Sequence, residues 1–246
     1  MGVWKITAIE GLHWRCISDY ANSRHSTRYR TFLYDTFPKC DWNNCKLDDL
    51  IICCEVLENI LLCIPQQSFQ SMPTEGRTIC TQIIENIAII FEKAGYKFIK
   101  RGGFEYAVRK DSAVDEAIEH INDDQVALDV LEYNRVSLKG DLNRKREILA
   151  SFGLYAEQIF KSSKFSDQFK QLRSDVGFCL NNLNIRHNQA ANKVSQRVLQ
   201  GMTEEELEQW YDRTYTLLIS VILMNTTREI QAQLEPLKQK AGIPNG

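Results

Sequence analysis

Apolar residues recur every three or four positions through most of the chain, the spacing that places side chains on one face of an α-helix. Two of the most regular runs extend from Lys46 to Ile64 and from Thr74 to Gly95. Pro65 follows the first run, and Gly95 stands at the end of the second, where helices commonly stop. The pattern predicts a mainly α-helical protein.

The period changes to two in the stretch YKFIKRGGFEYAVRK, which alternates around Arg101-Gly102-Gly103. Alternation on both sides of a glycine pair predicts a β-hairpin. We therefore expect three parts: an N-terminal helical region over 1–94, a hairpin plus helix as connector over 95–122, and a C-terminal helical bundle over 123–246. Within the first part, one or two helices are predicted over residues 12–37.

The last long helix is predicted to begin at a capping box, Thr203-x-x-Glu206, and to run to Leu234, just before Pro236. Its apolar stripe is wider than one neighbouring helix would cover. Such a surplus indicates either a central helix of the bundle or a seam between two copies of the chain.

The stretch GFCLNNLNIRHNQAANKV, residues 177–194, combines helix-compatible spacing with five asparagines and an arginine–histidine pair. On a continuous helix Leu180, Leu183 and His187 share one face. Asn184 and Arg186 then flank His187 on either side. We expect His187 to point into a packed seam, where polar groups need partners.

Two interpretations of this seam stay open. In the first, His187 hydrogen-bonds a neighbouring helix, and the asparagines bond each other or cap helix ends. In the second, Arg186, His187, Asn184 and Asn188 converge on a cleft, where arginine suits phosphate and histidine suits proton transfer near neutral pH.

A second basic cluster, Arg144-Lys145-Arg146, lies in the first turns of a predicted helix that follows Asp141. Cations at a helix N terminus oppose the helix dipole, so the cluster is a candidate anion or RNA site. The alternative is a solvated face on which Asp141 and Glu147 balance the charge.

Composition narrows the classes of function. A formal net charge of -2 and 43% hydrophobic residues are ordinary values for a soluble protein and give no overall attraction to nucleic acid. The eight cysteines form no CxxC pair, and no cluster has metal-ligand spacing. We expect no metal, no cofactor, no membrane span and a cytoplasmic location.

Three segments together resemble bacterial abortive-infection proteins with HEPN-type helical domains. They are LKGDLNRKREIL at Leu138–Leu149, LNNLNIRHNQ at Leu180–Gln189, and the hairpin-then-helix segment at Gly95–His120. The resemblance covers about residues 75 to 235. It implies an all-α bundle that dimerises and defends against phage by cutting RNA. RNA and a partner protein of a defence operon are the expected partners.

In catalytic members of that family, an arginine and a histidine stand four to six residues apart on one helix and face the partner subunit. The resemblance therefore points to Arg186 and His187 as catalytic residues of a metal-independent endoribonuclease. In this chain the two residues are adjacent, and adjacent side chains point about 100° apart on a helix. The alternative is a non-catalytic helical dimer that binds RNA, a nucleotide or a partner protein.

Overall fold

The computed structural model describes residues 46–161, 163–186 and 193–241. They form helices and one two-stranded antiparallel hairpin, which lies between the N-terminal and C-terminal helical parts of the chain. The predicted fold class, mainly α with one small hairpin, is confirmed. The helices predicted over residues 12–37 lie outside the described residues.

The chain divides into two compact units between Lys110 and Asp111. The hairpin of the predicted connector belongs to the first unit, and the helix that follows it belongs to the second. The described elements of the first unit are α1 (Leu47–Leu62), α2 (Gln66–Ser71), α3 (Thr74–Ala94), β1 (Tyr96–Arg101) and β2 (Phe104–Arg109).

The hairpin turns at Gly102 and Gly103, whose φ angles of 59° and 88° are strained for residues with a Cβ. Helix α1 covers the outer edge of β2 with polar side chains. The amide of Asn59 donates to the Glu105 carbonyl at 2.6 Å and accepts from the Glu105 N–H at 2.8 Å. The buried carboxylate of Glu55 accepts from the Ala107 N–H at 2.7 Å. These side chains satisfy backbone groups that a free strand edge would expose.

The second unit is a helical bundle. Its elements are α4 (Ser112–Glu119), α5 (Asp124–Tyr133), a 3-10 turn (Val136–Leu138), α6 (Leu142–Phe160), α7 (Ser163–Gln168), α8 (Lys170–Asn182), α9 (Lys193–Leu199) and α10 (Glu204–Lys240). Its core includes Ile148, Leu149, Phe152 and Leu218, none of which is exposed to solvent. Gly153 lets α6 approach α8 closely, because a Cβ there would lie 2.9 Å from the methyl groups of Leu180.

The predicted capping box begins α10, since Thr203 and Glu206 bond each other's backbone amides. The predicted end at Leu234 is wrong, because the helix continues through Pro236 to Lys240. A proline leaves the carbonyl four residues earlier without its helical partner. That carbonyl belongs to Ala232, which is exposed, so water can satisfy it.

The apolar stripe of α10 is used in two ways. Ile219 and Ile222 are buried in the core of the second unit, as in a central helix. Ile230, Leu234 and Leu237 are exposed, with 52%, 42% and 59% of their surface accessible.

Candidate functional site

Helix α8 ends at Asn182, in the middle of the stretch that contains the arginine–histidine pair. The expectation of one continuous helix over residues 177–194 is therefore wrong. Leu180 and Leu183 are buried as predicted. Asn184 and Arg186, however, lie beyond the helix, so the predicted helical face cannot define where their side chains point.

Several polar groups at the break have hydrogen-bond partners. The Asn182 amide donates to the Phe178 carbonyl at 2.9 Å, and the Ser195 hydroxyl donates to the Asn181 carbonyl at 3.2 Å. The Arg186 N–H reaches back to the Leu180 carbonyl at 3.2 Å. The bonds to the Asn181 and Leu180 carbonyls satisfy groups that the end of the helix leaves unpaired.

Asn184 turns the chain. Its φ angle is 58°, in the left-handed region that asparagine tolerates better than other residues with a Cβ. The next buried residue is Ile185, which is 3% exposed. The turn thus anchors one apolar side chain and brings the following residue, Arg186, back toward α6.

The guanidinium of Arg186 is held by two groups. It forms an ion pair with Glu157 of α6 and donates to the Asn181 side-chain oxygen at 2.9 Å. Its side chain keeps 29% of its surface exposed. Partial burial lowers the pKa of Arg186 from the ordinary value.

Arg186 lines a cavity of about 290 Å³ between α6 and α8. The other lining residues are Glu157, Phe160, Lys161, Arg173, Gly177 and Leu180. A side chain at Gly177 would project into open space, so the glycine helps to keep the cavity free. The volume lies near the lower end of the range of small-ligand pockets.

The cavity has a positive balance of charge. Lys161, Arg173 and Arg186 supply three cations, and Glu157 supplies one carboxylate. Such a lining suits a small anion, above all a phosphate, which arginine recognises with paired N–H donors. Sequence reasoning singled out Arg186 but missed Lys161 and Arg173. The spacing of Arg173, Gly177 and Leu180 on one helical face could have indicated Arg173.

Two of the predicted site residues, His187 and Asn188, lie outside the described residues. Asn184 lies two residues from Arg186, and its side-chain oxygen is buried with no hydrogen-bond partner among the described atoms.

Arg144, from the second basic cluster, faces carboxylates. Its Nε and Nη2 donate to the two oxygens of Glu132 at 3.0 and 2.9 Å. Nη2 also lies 3.3 Å from Asp129, and Nη1 lies 3.1 Å from Glu147. These interactions, led by the hydrogen bond to Glu132, raise the pKa of Arg144. Arg144 thus links α6 to α5.

Lys145 is buried beside α10. Its Nζ lies 2.8 Å from Glu208 and 2.7 Å from Asp212, and 5.1 Å from the ring centre of Tyr133. The Tyr133 hydroxyl also donates to Asp212, at 2.9 Å. Arg146, the third member of the cluster, lies near Tyr211 instead. The geometry of Arg144 and Lys145 is that of an intramolecular network.

Within the three described segments, no group of three or more His, Cys, Asp or Glu side chains is arranged to hold a metal ion. None of the described helices is long and apolar enough to cross a membrane. Comparison with family models, curated proteins and solved structures finds no match to this chain.

Proposed function

We propose that this protein is a HEPN-like phage-defence protein that cuts RNA without a metal ion, as a cytoplasmic homodimer. One observation carries the proposal: Arg186 lines a cavity with Lys161 and Arg173, directly before His187 in the sequence. A cationic cavity at that position suits the phosphate of an RNA substrate. The resemblance of three segments to abortive-infection proteins supplies the biological context.

The proposed chemistry uses the ribose 2′-hydroxyl as the nucleophile. His187 takes the proton from this hydroxyl as it attacks the neighbouring phosphorus. The bond from phosphorus to the 5′-oxygen breaks, and this oxygen takes up a proton from water. Arg186 neutralises the charge that develops on the phosphate oxygens. The products are a 2′,3′-cyclic phosphate and a 5′-hydroxyl, and DNA is inert because it has no 2′-hydroxyl.

The homodimer is supported by the exposed apolar residues at the end of α10. Ile230, Leu234 and Leu237 follow one another at intervals of four and three residues, the spacing of a coiled-coil seam. A second copy of the same helix offers the same seam, as a two-fold interface requires.

The test is cleavage of single-stranded RNA in the presence of EDTA. Wild-type protein is expected to produce cyclic phosphate ends and to leave DNA of the same sequence intact. Arg186→Ala and His187→Ala are expected to abolish cleavage without lowering the melting temperature by more than about 2 °C. Arg213→Ala is the matched control, because Arg213 carries the same charge but does not line the cavity. Cleavage that requires a divalent metal, or that survives both site variants, would refute the proposal.

A second candidate is a non-catalytic helical module that binds RNA, a nucleotide or a partner protein. The observation that favours it is the ion pair between Arg186 and Glu157, which already occupies the candidate catalytic arginine. In this case wild-type protein binds RNA or a partner of a defence operon but leaves RNA uncut.

A further inference from the structure

The three cations of the cavity come from separate places in the chain. Lys161 follows the last residue of α6, Arg173 lies in the first turn of α8, and Arg186 lies beyond the end of α8. The antiparallel approach of the two helices brings these positions together around one cavity. Their convergence therefore depends on the fold and is independent of the resemblance, which concerned Arg186 but neither Lys161 nor Arg173.

We propose that this cavity is a phosphate-binding subsite for single-stranded RNA, in which an RNA phosphate displaces Glu157 from Arg186. Lys161 and Arg173 also hold this phosphate. The inference rests on the proposed function, because it assigns the substrate contact and its regulation to the same site. It concerns binding, so cleavage is not needed to test it.

Electrostatics favours a phosphate in this place. The lining carries three positive charges against one carboxylate, and the C terminus of α6 adds a partial negative charge of about one half. Among the lining residues the cations therefore outnumber the carboxylates. Phe160 and Leu180 form apolar walls, which strengthen charge interactions by excluding part of the water.

Glu157 acts in this proposal as a competitor for the arginine. A carboxylate and a phosphate both use paired oxygens to accept from a guanidinium. The Glu157 side chain is 38% exposed, so it can swing into solvent when a phosphate binds. Asn181, which accepts from the same guanidinium, keeps Arg186 oriented toward the cavity after Glu157 has left.

The experiment measures binding of a fluorescent single-stranded RNA in which every 2′-hydroxyl is methylated, so that it cannot be cut. Affinity is measured by fluorescence anisotropy at salt concentrations from about 50 to about 300 mM, because phosphate contacts make RNA affinity fall with salt over this range. The variants are Lys161→Ala, Arg173→Ala and Glu157→Gln, with Lys238→Ala and Arg213→Ala as charge-matched controls outside the cavity. One RNA carries a 5′-phosphate, a second carries a 5′-hydroxyl, and inorganic phosphate serves as a competitor.

The one phosphate held in the cavity is expected to contribute about 0.7 to the slope of log affinity against log salt. Lys161→Ala and Arg173→Ala should each weaken binding and lower this slope, by about 0.7 where the phosphate contact is lost entirely. Glu157→Gln is expected to tighten binding about threefold, since it frees a partly exposed arginine. The two controls should leave the slope unchanged. A stronger effect of the variants on the 5′-phosphorylated RNA identifies a terminal phosphate, and equal effects identify an internal one.

The inference is overturned if Lys161→Ala and Arg173→Ala bind RNA with the wild-type slope, even when Arg186→Ala weakens binding and the proposed function stands. A second outcome is that RNA does not bind, whereas inorganic phosphate binds to the wild type and not to Arg173→Ala. The cavity is then a phosphate site, and the proposed RNA function is wrong. If neither ligand binds to wild-type protein, both proposals are wrong.

Discussion

Arg144→Ala distinguishes structural from RNA-binding roles for the basic cluster on α6. Arg144 meets Glu132 through two nitrogens at 3.0 and 2.9 Å, and it lies 3.3 Å from Asp129. The side chains of both acids are only 9% exposed. Removing the guanidinium therefore leaves two nearly buried carboxylates with fewer compensating donors.

The size of the stability loss depends on the donors that Glu132 and Asp129 keep after Arg144 is removed. Removing one member of a fully buried ion pair costs about 3–5 kcal/mol. Here Arg135 stays 3.7 Å from Glu132, and the Gln125 amide still donates to Asp129 at 2.9 Å. Arg144 itself is 25% exposed, so part of its charge is already solvated. We expect a loss of about 2 kcal/mol in the free energy of unfolding, or about 6 °C in melting temperature.

The assay combines urea and thermal denaturation, followed by circular dichroism, with the RNA-binding measurement above. Arg146→Ala is the control from the same turn of the helix, and we expect it to lose less than about 0.5 kcal/mol. A double variant with Glu132→Gln should be less destabilised than the sum of the single variants, because the two changes remove the same interaction. An Arg144→Ala protein that melts like wild type but binds RNA more weakly would refute the structural assignment.

Three further outcomes are expected. Burial alone would raise the pKa of Glu208, but hydrogen bonds from the Gly140 N–H and Lys145 hold it below the ordinary value. The contribution of Glu208 to stability is present above the unfolded pKa of about 4.3 and is lost as the pH falls through the lower folded pKa. Glu208→Gln should therefore lower the melting temperature at pH 7. The melting temperature of this variant should also fall less steeply with acid than that of the wild type. Asn184→Ala should lower the free energy of unfolding, measured by urea denaturation, by about 1 kcal/mol, because alanine is strained at a φ of 58°. Asn184→Gly should lower it by almost nothing, and equal losses for the two variants would contradict this account. Leu234→Asp should shift light scattering from a dimer to a monomer at micromolar concentration, whereas a wild-type monomer would rule out the homodimer.

Helix positions followed closely from the sequence wherever apolar periodicity and end signals agreed. Gly95, with a φ of 74°, ends α3 where the pattern predicted a stop, and Gly102-Gly103 turn the hairpin. In such segments the local preference of the residues and the packing of their apolar face favour the same structure. The predicted fold class was correct for this reason.

The break after Asn182 was not predictable from periodicity. Leu180 and Leu183 are both buried, and their spacing fits a helix that continues past residue 183. What ends the helix is a set of hydrogen bonds, including one from Ser195, thirteen residues beyond Asn182. A bond over such a distance in the chain leaves no mark in the local pattern of apolar and polar residues.

The same break changes the argument about the arginine–histidine pair. Adjacent side chains diverge by about 100° on a helix, and this divergence weighed against Arg186 and His187 serving one phosphate. At Arg186 the backbone is not helical, so the helical angle does not apply to this pair. What weighs against catalysis is then the ion pair between Glu157 and Arg186, the candidate catalytic arginine. Competition between this carboxylate and a phosphate therefore separates the two candidate functions: in a ribonuclease, Glu157→Gln should raise RNA affinity and cleavage together, and in a binding module it should raise affinity alone.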